Sequence, residues 1–468
     1  MGQHNFKKNF LWGSAFSGPQ TEVASLEDGK SASNWDHWFK LEKYRFFNQQ
    51  PCLNDFYHRY QEDIKIAREL NFNSLRTSIQ WNRLIPDGKT VNQKGIEFYN
   101  NVINEMLKNN IKPIINLFHF DMPYWAQQKG GCLSREVFDA FVFYAKTCFE
   151  LFGDRVEMFT TFNEPIVVIE GSYWYDWHFP NEVNMQHGMQ AQWNTLIAFK
   201  WAIKVFRQLK LKGEIGCILS ISLSIPRSKN KADLEAAKWH DLFTINCFLD
   251  PMVKNVYPKE LKEVAKKYNF MWQIADGDEE LIQDENLKID LLGVNFYQPA
   301  RVKGVDFIPD FINGAITPHY FYQPYEMPGR RINPYRGWEI FPKAIYITLM
   351  NLKEHYNNIP VYISENGIGV ENEERFLEHG IINDQYRIDF TKEHLVWVHQ
   401  AIKEGSNCFG YHSWAYIENW SWMNAYKNRY GFVQLDLTNN GKRVLKKPAN
   451  FIAETAKTGI FEYETEVI

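Results

Sequence analysis

The sequence predicts an α/β protein and, within that class, a single (β/α)8 TIM barrel with long insertions in its βα-loops. Eight short apolar runs, each bounded by polar residues, Gly or Pro, have the length and composition of buried strands. Segments with helical amphipathic spacing alternate with these runs. Nearly continuous hydrophobic strands alternating with helices are typical of a parallel sheet covered by helices, and eight such units indicate a closed barrel.

The predicted elements follow one another along the whole chain. The strands are expected at residues 10–15, 74–79, 113–118, 158–163, 214–220, 289–297, 361–366 and 408–414. Three predicted helices have a clear apolar face, formed by Tyr60, Ile64, Ala67 and Leu70, by Tyr99, Val102, Ile103, Met106 and Leu107, and by residues 395–402 just before Gly405. The widest spacings separate the strands that begin at residues 214, 289 and 361, so the longest loops are expected there.

The length of 468 residues would suggest three domains at about 150 residues each. However, no Ser/Gly-rich or Pro-rich linker interrupts the pattern, and no internal repeat is detectable. We therefore predict one catalytic barrel domain over residues 1–468, in which the surplus over about 250 residues lies in loops. An open doubly wound sheet is the alternative, which the lack of a Gly-rich turn after the first strand disfavours.

Composition and charge exclude several classes of protein. Lys and Arg number 52 and Asp and Glu 56, for a net charge of -4, and no long run of like charges occurs, which argues against a nucleic-acid partner. Neither a membrane-spanning segment nor a signal peptide is predicted, so we expect no membrane association and a cytoplasmic location. The cysteines lack CxxC spacing and are expected to be reduced core thiols: Cys52, Cys132, Cys148, Cys217, Cys247 and Cys408.

The candidate catalytic residues are polar side chains at the carboxyl ends of the predicted strands, where barrels of this kind place their active sites. They are Arg76, His119, Asp121, Asn163, Glu164, Asn295, Tyr297, Glu365, Asn366 and Trp414. Glu164 and Glu365 end two different strands and are expected to face each other across the barrel mouth. Paired carboxylates suit glycoside hydrolysis. The alternative is that they cap helices or pair with surface lysines.

The two glutamates are expected to differ in protonation. Arg76 is positioned to hold Glu365 ionised, whereas the negative charge of Glu365 and Trp-rich surroundings would raise the pKa of Glu164. Pro165 is expected to bias the backbone of Glu164 toward the extended region. Gly367 would permit a sharp turn after Glu365.

With these residues the chain resembles glycoside hydrolase family 1 over nearly its whole length. The resemblance lies in FLWGSAFSGPQTE (10–22), TFNEP (161–165), ISENG (363–367) and ENWSWMNAYKNRYGFVQLD (418–436). It implies that Glu164 is the acid/base and Glu365 the nucleophile of a retaining β-glycosidase. Carboxyl groups in such enzymes lie about 5 to 5.5 Å apart, and the chemistry needs no cofactor.

The resemblance also assigns supporting residues. It places Gln20, His119, Asn163, Trp414, Trp422 and the segment 420–422 in the sugar pocket, Arg76, Asn295 and Tyr297 around the nucleophile, and Trp338 as a platform for the leaving group. Flat apolar rings of this kind stack on sugar faces. Two departures from the family pattern stand out: Val23 replaces a glycine after Gln20-Thr21-Glu22, and Ala415 and Glu418 alter the segment after the eighth strand.

Ser421 indicates a phosphorylated substrate. The β-glucosidases of the family have a Glu at this position, where its carboxylate accepts hydrogen bonds from the sugar, and a carboxylate would repel a 6-phosphate. Ser421 instead offers a donor, and Lys427 and Tyr430 complete a predicted phosphate-binding set of the phospho-β-glycosidase type. Arg429 is the alternative cation. An enzyme for unphosphorylated glucosides is the alternative function.

The preferred sugar is less clearly marked. Trp422 resembles the aromatic residue of phospho-β-galactosidases, whereas SGPQTE (17–22) and SNWDHW (33–38) resemble phospho-β-glucosidases. We predict a 6-phospho-β-glucosidase of a bacterial cytoplasm whose partner is a small phosphorylated β-disaccharide or aryl glycoside. A galactosidase or dual enzyme is the main alternative. A noncatalytic sugar-binding barrel would have lost a carboxylate, and a metal-dependent hydrolase would need a His/acid motif that the sequence lacks.

Overall fold

The computed structural model describes residues 2–23, 26–41, 53–306 and 316–463. Its centre is a closed barrel of eight parallel strands: β1 (Leu11–Ala15), β2 (Ser74–Ser78), β3 (Lys112–Phe118), β4 (Met158–Asn163), β5 (Glu214–Ser220), β6 (Leu291–Asn295), β7 (Val361–Glu365) and β8 (Cys408–Trp414). Each strand pairs with the next along the chain, and β8 pairs with β1 to close the barrel. The predicted fold class is therefore confirmed.

A helix follows every strand of the barrel. These helices are α1 (Phe56–Glu69), α2 (Gln93–Lys108), α3 (Arg135–Phe152), α4 (Met185–Gln208), α5 (Lys231–Asp241 and Cys247–Val253, joined by a π-helical turn, Leu242–Asn246), α6 (Lys343–His355), α7 (Gln385–Lys403) and α8 (Lys447–Thr458). The predicted apolar faces of α1 and α2 are buried, except that Tyr60 is half-buried and Leu107 is exposed. Leu107 lies a quarter turn beyond Met106, which already occupies the edge of the buried face.

The apolar core has two layers. Helix faces and outward-pointing strand residues, such as Leu75, Leu117 and Phe159, form one continuous cluster. A smaller cluster inside the barrel comprises Ile114, Met158, Leu291 and Tyr362, from β3, β4, β6 and β7. The barrel is thus a packed core whose residues alternate between its two faces, as its period of two requires.

Most additional elements lie in the loops that follow the strands. Gly18–Thr21 and Asn34–Leu41 follow β1, Trp81–Leu84 follows β2, Tyr124–Gln128 follows β3, and Pro165–Ile169 with the π-helical Glu170–Trp174 follows β4. Ser224–Pro226, Ala300–Lys303 and Gln323–Pro324 form a three-stranded sheet, and Ile332–Asn333 pairs with Trp338–Glu339. Leu377–Glu378 pairs with Ile381–Ile382, and Val433–Asp436 with Lys442–Leu445. These loops surround the carboxyl ends of the strands.

The remaining elements lie away from that rim. Helices Lys259–Lys267 and Asp278–Gln283 precede β6, and Gly2–Asn5 pairs with Ile460–Tyr463. Within the described ranges, no helix is both long and apolar enough to cross a membrane. The cysteines at positions 132, 148, 217, 247 and 408 are free and buried, while Cys52 lies outside the described residues.

Candidate active site

A cavity of about 480 Å³ opens at the carboxyl ends of the strands, and both predicted catalytic glutamates line it. Aromatic residues form much of its wall, namely Phe120, Trp177, Tyr297, Trp338, Trp414, Trp422 and Tyr430. This combination of a deep aromatic-lined pocket with two convergent carboxyl groups is the arrangement expected of a carbohydrate-binding catalytic site.

Glu365, the predicted nucleophile, is fixed by two hydrogen-bond donors. It is the last residue of β7 and is 4% exposed. The guanidinium of Arg76, from the middle of β2, donates to one carboxylate oxygen, and the Tyr297 hydroxyl donates to the other at 2.7 Å. Because a charged donor and a phenol satisfy opposite oxygens, the carboxylate is held in one orientation.

Glu164, the predicted acid/base, lies in a different electrostatic environment. Burial raises the pKa of its carboxyl to about 8, and the neighbouring negative charge of Glu365 acts in the same direction. Asn295 opposes these effects by donating to Glu164 Oε1 at 2.9 Å. Glu164 is therefore protonated at neutral pH, as a general acid must be.

The backbone at Glu164 corrects one prediction. We expected extended geometry before Pro165, but φ is 45° and ψ is 57°, in the left-handed region. Pro165 starts a short helix, and the Glu164 amide donates to the Ile218 carbonyl of β5 at 2.8 Å, which anchors the turn. Left-handed backbone costs a residue with a side chain about 1 to 3 kcal/mol, so it persists only where the surrounding structure enforces it.

Asn295 also differs from its predicted role. We expected it among the residues that position Glu365, but its side-chain amide donates to Glu164 and to Asn163 Oδ1. The Ser364 hydroxyl donates to Asn295 Oδ1 at 2.6 Å, and this contact turns the NH2 group toward Glu164. The register of β6 and β7 pairs Asn295 with Glu365 only through the backbone.

The other predicted sugar-pocket residues form a connected polar layer. Asn163 Oδ1 accepts from Arg76 at 2.9 Å, and its amide lies 3.4 Å from His119 Nε2. Burial, assisted by the charge of Arg76, lowers the pKa of His119 well below its usual value, so the imidazole is neutral. Gln20 donates to the Trp420 carbonyl at 2.6 Å and thereby ties the loop after β1 to the loop after β8.

Indole rings frame the cavity on two sides. Trp414 and Trp422 lie nearly parallel to the ring of His119, with centroid distances of 6.0 and 6.1 Å. The ring centroid of Trp338 lies 5.3 Å from that of Tyr297, which in turn hydrogen-bonds Glu365. Trp420, in contrast, is buried. Its ring packs against those of Trp35, Phe39 and Trp422.

The structure brings two of the three predicted phosphate ligands into the cavity. Ser421 and Tyr430 line it, whereas Lys427 lies apart from the lining residues. The Lys427 side chain is 52% exposed and pairs with Glu371 at 3.3 Å. Arg429, the alternative cation, is held by the buried Glu418 at 2.7 Å. The predicted role of Lys427 in phosphate binding is therefore not supported.

Arg336 was missed by the sequence analysis. It lies in the long loop between β6 and β7 and lines the cavity, with its guanidinium carbon 4.3 Å from the ring centroid of Trp338. The one available signal was its position two residues before that tryptophan. The conformation of a loop determines which of its side chains point into the cavity, and this cannot be predicted from the hydrophobic periodicity of the sequence.

A second cavity of about 280 Å³ adjoins the first. The two share Gln298, and polar residues including Glu170, His240 and Tyr322 line the second. Burial raises the pKa of Glu170 to about 7. The pair of cavities provides room on the Trp338 side for a substituent attached to a sugar in the first cavity.

Comparison with known proteins identifies the family. The family model described as Glycosyl hydrolase family 1 matches residues 2–460. The chain belongs to glycosyl hydrolase family 1. The match spans both glutamate motifs and the C-terminal loop, so it covers the whole of the site just described.

Curated relatives align with almost the entire chain. The 6-phospho-beta-glucosidase GmuD of Bacillus subtilis is 49% identical, over 97% of this chain and 98% of the relative. The 6-phospho-beta-galactosidase of Clostridium acetobutylicum is 34% identical, over 95% and 96% of the two chains. Among solved structures, the family 1 β-glucosidase of Thermotoga maritima superposes with a TM-score of 0.89 at 33% identity, covering 99% of this chain and 100% of that one.

Proposed function

We propose that the protein is a retaining 6-phospho-β-glucosidase, which cleaves 6-phospho-β-D-glucosides to glucose 6-phosphate and an aglycone. The observation that carries the proposal is the asymmetric carboxyl pair, with Glu365 fixed by Arg76 and Tyr297 and Glu164 protonated through burial. The 49% identity to a 6-phospho-beta-glucosidase supports the choice of substrate.

In the first step, a carboxylate oxygen of Glu365 attacks the anomeric carbon while the proton of Glu164 moves to the glycosidic oxygen. The bond to the leaving group breaks, and a covalent glycosyl-enzyme forms. Once Glu365 is esterified, its negative charge no longer raises the pKa of Glu164. Glu164 is then a stronger acid and remains as a carboxylate after it has given up its proton.

In the second step, Glu164 accepts a proton from a water molecule, whose oxygen attacks the anomeric carbon. The ester bond to Glu365 breaks, and the sugar leaves with its original β configuration. Arg76 and Tyr297 again stabilise the released carboxylate through the same two hydrogen bonds. The aromatic wall excludes bulk water, which strengthens these interactions.

Ser421 supports a phosphorylated sugar. A 6-phosphate carries about -1.5 to -2 charges near neutral pH, and Ser421 adds no negative charge to a cavity that already contains Glu365. The hydroxyl groups of Ser421 and Tyr430 both line the cavity and offer donors to phosphate oxygens. A free sugar phosphate does not cross membranes unaided, so we also propose a bacterial cytoplasmic location.

The glucoside preference is supported by the higher identity to the 6-phospho-beta-glucosidase than to the 6-phospho-beta-galactosidase. The second candidate function is hydrolysis of unphosphorylated β-glucosides. It is favoured by the close superposition on the β-glucosidase of Thermotoga maritima.

Four p-nitrophenyl glycosides, gluco and galacto with and without a 6-phosphate, test the proposal in one experiment. We expect the highest kcat/KM for the β-glucoside 6-phosphate. Equal or faster hydrolysis of the unphosphorylated β-glucoside would overturn the phosphosugar assignment. A preference above about tenfold for the galactoside 6-phosphate, equivalent to ~1.4 kcal/mol in transition-state binding, would overturn the gluco assignment alone.

A further inference from the structure

A phosphorylated substrate in the active-site cavity would need a cation, which the proposed phosphate ligands Ser421 and Tyr430 do not provide. The cavity contains two carboxyl groups, Glu164 and Glu365, and the one cation that fixes Glu365, Arg76, lies below the lining. Ser421 and Tyr430 contribute neutral donors only. A dianionic phosphate bound here would therefore need a positive charge from another side chain.

Arg336 is the one Lys or Arg side chain among the described residues that lines this cavity. Its guanidinium lies over Trp338, 4.3 Å from the ring centroid, and close enough to Tyr430 for its positive charge to oppose the rise that burial causes in the pKa of Tyr430. Its Nε is buried and has no hydrogen-bond partner within the described part of the chain. No described carboxylate forms an ion pair with it. The group is thus held over the Trp338 ring, near Tyr430, and keeps donor capacity for an anion.

The neighbouring cations are already committed elsewhere. Lys427 pairs with Glu371 at 3.3 Å and is half exposed, and Arg429 pairs with Glu418 at 2.7 Å. Withdrawing Arg429 would leave Glu418 with one fewer partner in a buried position, which is costly. Arg336 has no such prior partner to lose.

We infer that Arg336 is the cationic ligand of the substrate's 6-phosphate and acts together with Tyr430 and Ser421. The inference rests on the proposed phosphosugar function and names the residue that selects for it. A planar guanidinium can donate two parallel hydrogen bonds to phosphate oxygens, and stacking on Trp338 fixes its plane. The loop between β6 and β7 would therefore contribute to recognition of the sugar phosphate as well as to the leaving-group platform.

The test measures discrimination between two substrates with the same leaving group, p-nitrophenyl β-glucoside with and without the 6-phosphate. A shared leaving group cancels any disturbance of Trp338 in the ratio of the two kcat/KM values. We expect Arg336→Gln to lower that ratio about ten- to a hundredfold, mainly through KM for the phosphorylated substrate. Arg336→Lys, which keeps the charge, should restore part of the loss. Inhibition by glucose 6-phosphate, relative to glucose, should weaken in parallel.

Lys427→Gln is the matched control, because it removes a nearby cation that lies outside the cavity lining. We expect this variant to keep the wild-type ratio within about threefold. A ratio that is unchanged in Arg336→Gln but collapses in Lys427→Gln would overturn the inference in favour of the C-terminal loop. Equal losses on both substrates in Arg336→Gln would assign Arg336 to support of Trp338 alone. If the wild-type enzyme itself showed no preference for the phosphorylated substrate, the proposed function would fail instead.

Discussion

At the scale of single residues, the site places two glutamates in different environments, and these environments suit the two roles that we propose for them. Glu365 receives hydrogen bonds on both carboxylate oxygens, one of them from a guanidinium. Glu164 is partly buried, faces the charge of Glu365 and receives one amide hydrogen bond. The proposed roles of nucleophile for Glu365 and acid for Glu164 therefore rest on the different neighbours of the two carboxyl groups.

The pH dependence of activity tests this assignment. Because we propose the protonated form of Glu164 as the general acid, kcat/KM should fall as the pH rises through about 8. Asn295 stabilises the carboxylate of Glu164, so Asn295→Ala should raise the pKa of Glu164 and move the basic limb of the profile to higher pH. Steady-state pH profiles of wild type and variant measure the shift.

Glu164→Gln provides the control for that profile. It should lose the basic limb, and its kcat should fall about 10² to 10⁴-fold because no acid remains to protonate the leaving group. A limb that persists in Glu164→Gln, or that moves to lower pH in Asn295→Ala, would show that another group controls the profile.

At the scale of elements, strand-end turns hold the catalytic side chains in place. Gly367 follows β7, and a Cβ atom added there would lie 2.1 Å from the Trp414 carbonyl oxygen of β8. From the sequence we expected this glycine to permit a sharp turn after Glu365. The structure shows instead that the backbone of the neighbouring strand approaches too closely for any side chain.

Gly367→Ala should therefore force β7 and β8 apart beside Glu365. We expect a loss of at least about 1 to 3 kcal/mol in the free energy of unfolding and a marked fall in kcat. Gly2→Ala is the control, since its added Cβ would be 3.4 Å from the nearest atom, an ordinary contact. Denaturant unfolding and kinetics on both variants measure the difference, and wild-type behaviour of Gly367→Ala would contradict the close approach.

A second element, the loop after β8, is anchored by buried charges. The ammonium group of Lys446 bridges Glu373 and Glu418, and each carboxylate also pairs with an arginine, Arg387 and Arg429 respectively. Burial alone would raise the pKa of Glu373, but Lys446 and Arg387 hold it well below its ordinary value. The network gives a structural reason for Glu418, one of the departures from the family pattern.

Lys446→Met should destabilise the protein by about 3 to 5 kcal/mol at neutral pH, because two buried carboxylates lose a partner. The loss should shrink below about pH 4, where protonation removes the unpaired charges. Lys442→Met, at an exposed position in the hairpin that follows the same loop, serves as the control. Equal stability of the two variants at neutral pH would contradict the role of the network.

At the scale of the whole molecule, the barrel and the strand-end residues were predictable, whereas the loop residues were only partly so. Buried strands leave a strong apolar signal, and barrel topology fixes which strand ends converge, so Glu164 and Glu365 were found from the sequence. Lys427 and Arg336 lie in loops, where side-chain direction depends on tertiary contacts. The left-handed backbone at Glu164 also arises from a tertiary contact, with Ile218 of β5.

Trapping of the covalent intermediate tests the central claim most directly. We would treat the enzyme with 2-deoxy-2-fluoro-β-D-glucosyl fluoride, with and without a 6-phosphate, and map the label by mass spectrometry of peptides. The 2-fluoro substituent slows both steps, and the good leaving group lets the intermediate accumulate. We predict one label, on Glu365, formed faster with the phosphorylated reagent and absent in Glu365→Gln. A label on another residue, or faster labelling by the unphosphorylated reagent, would contradict the account.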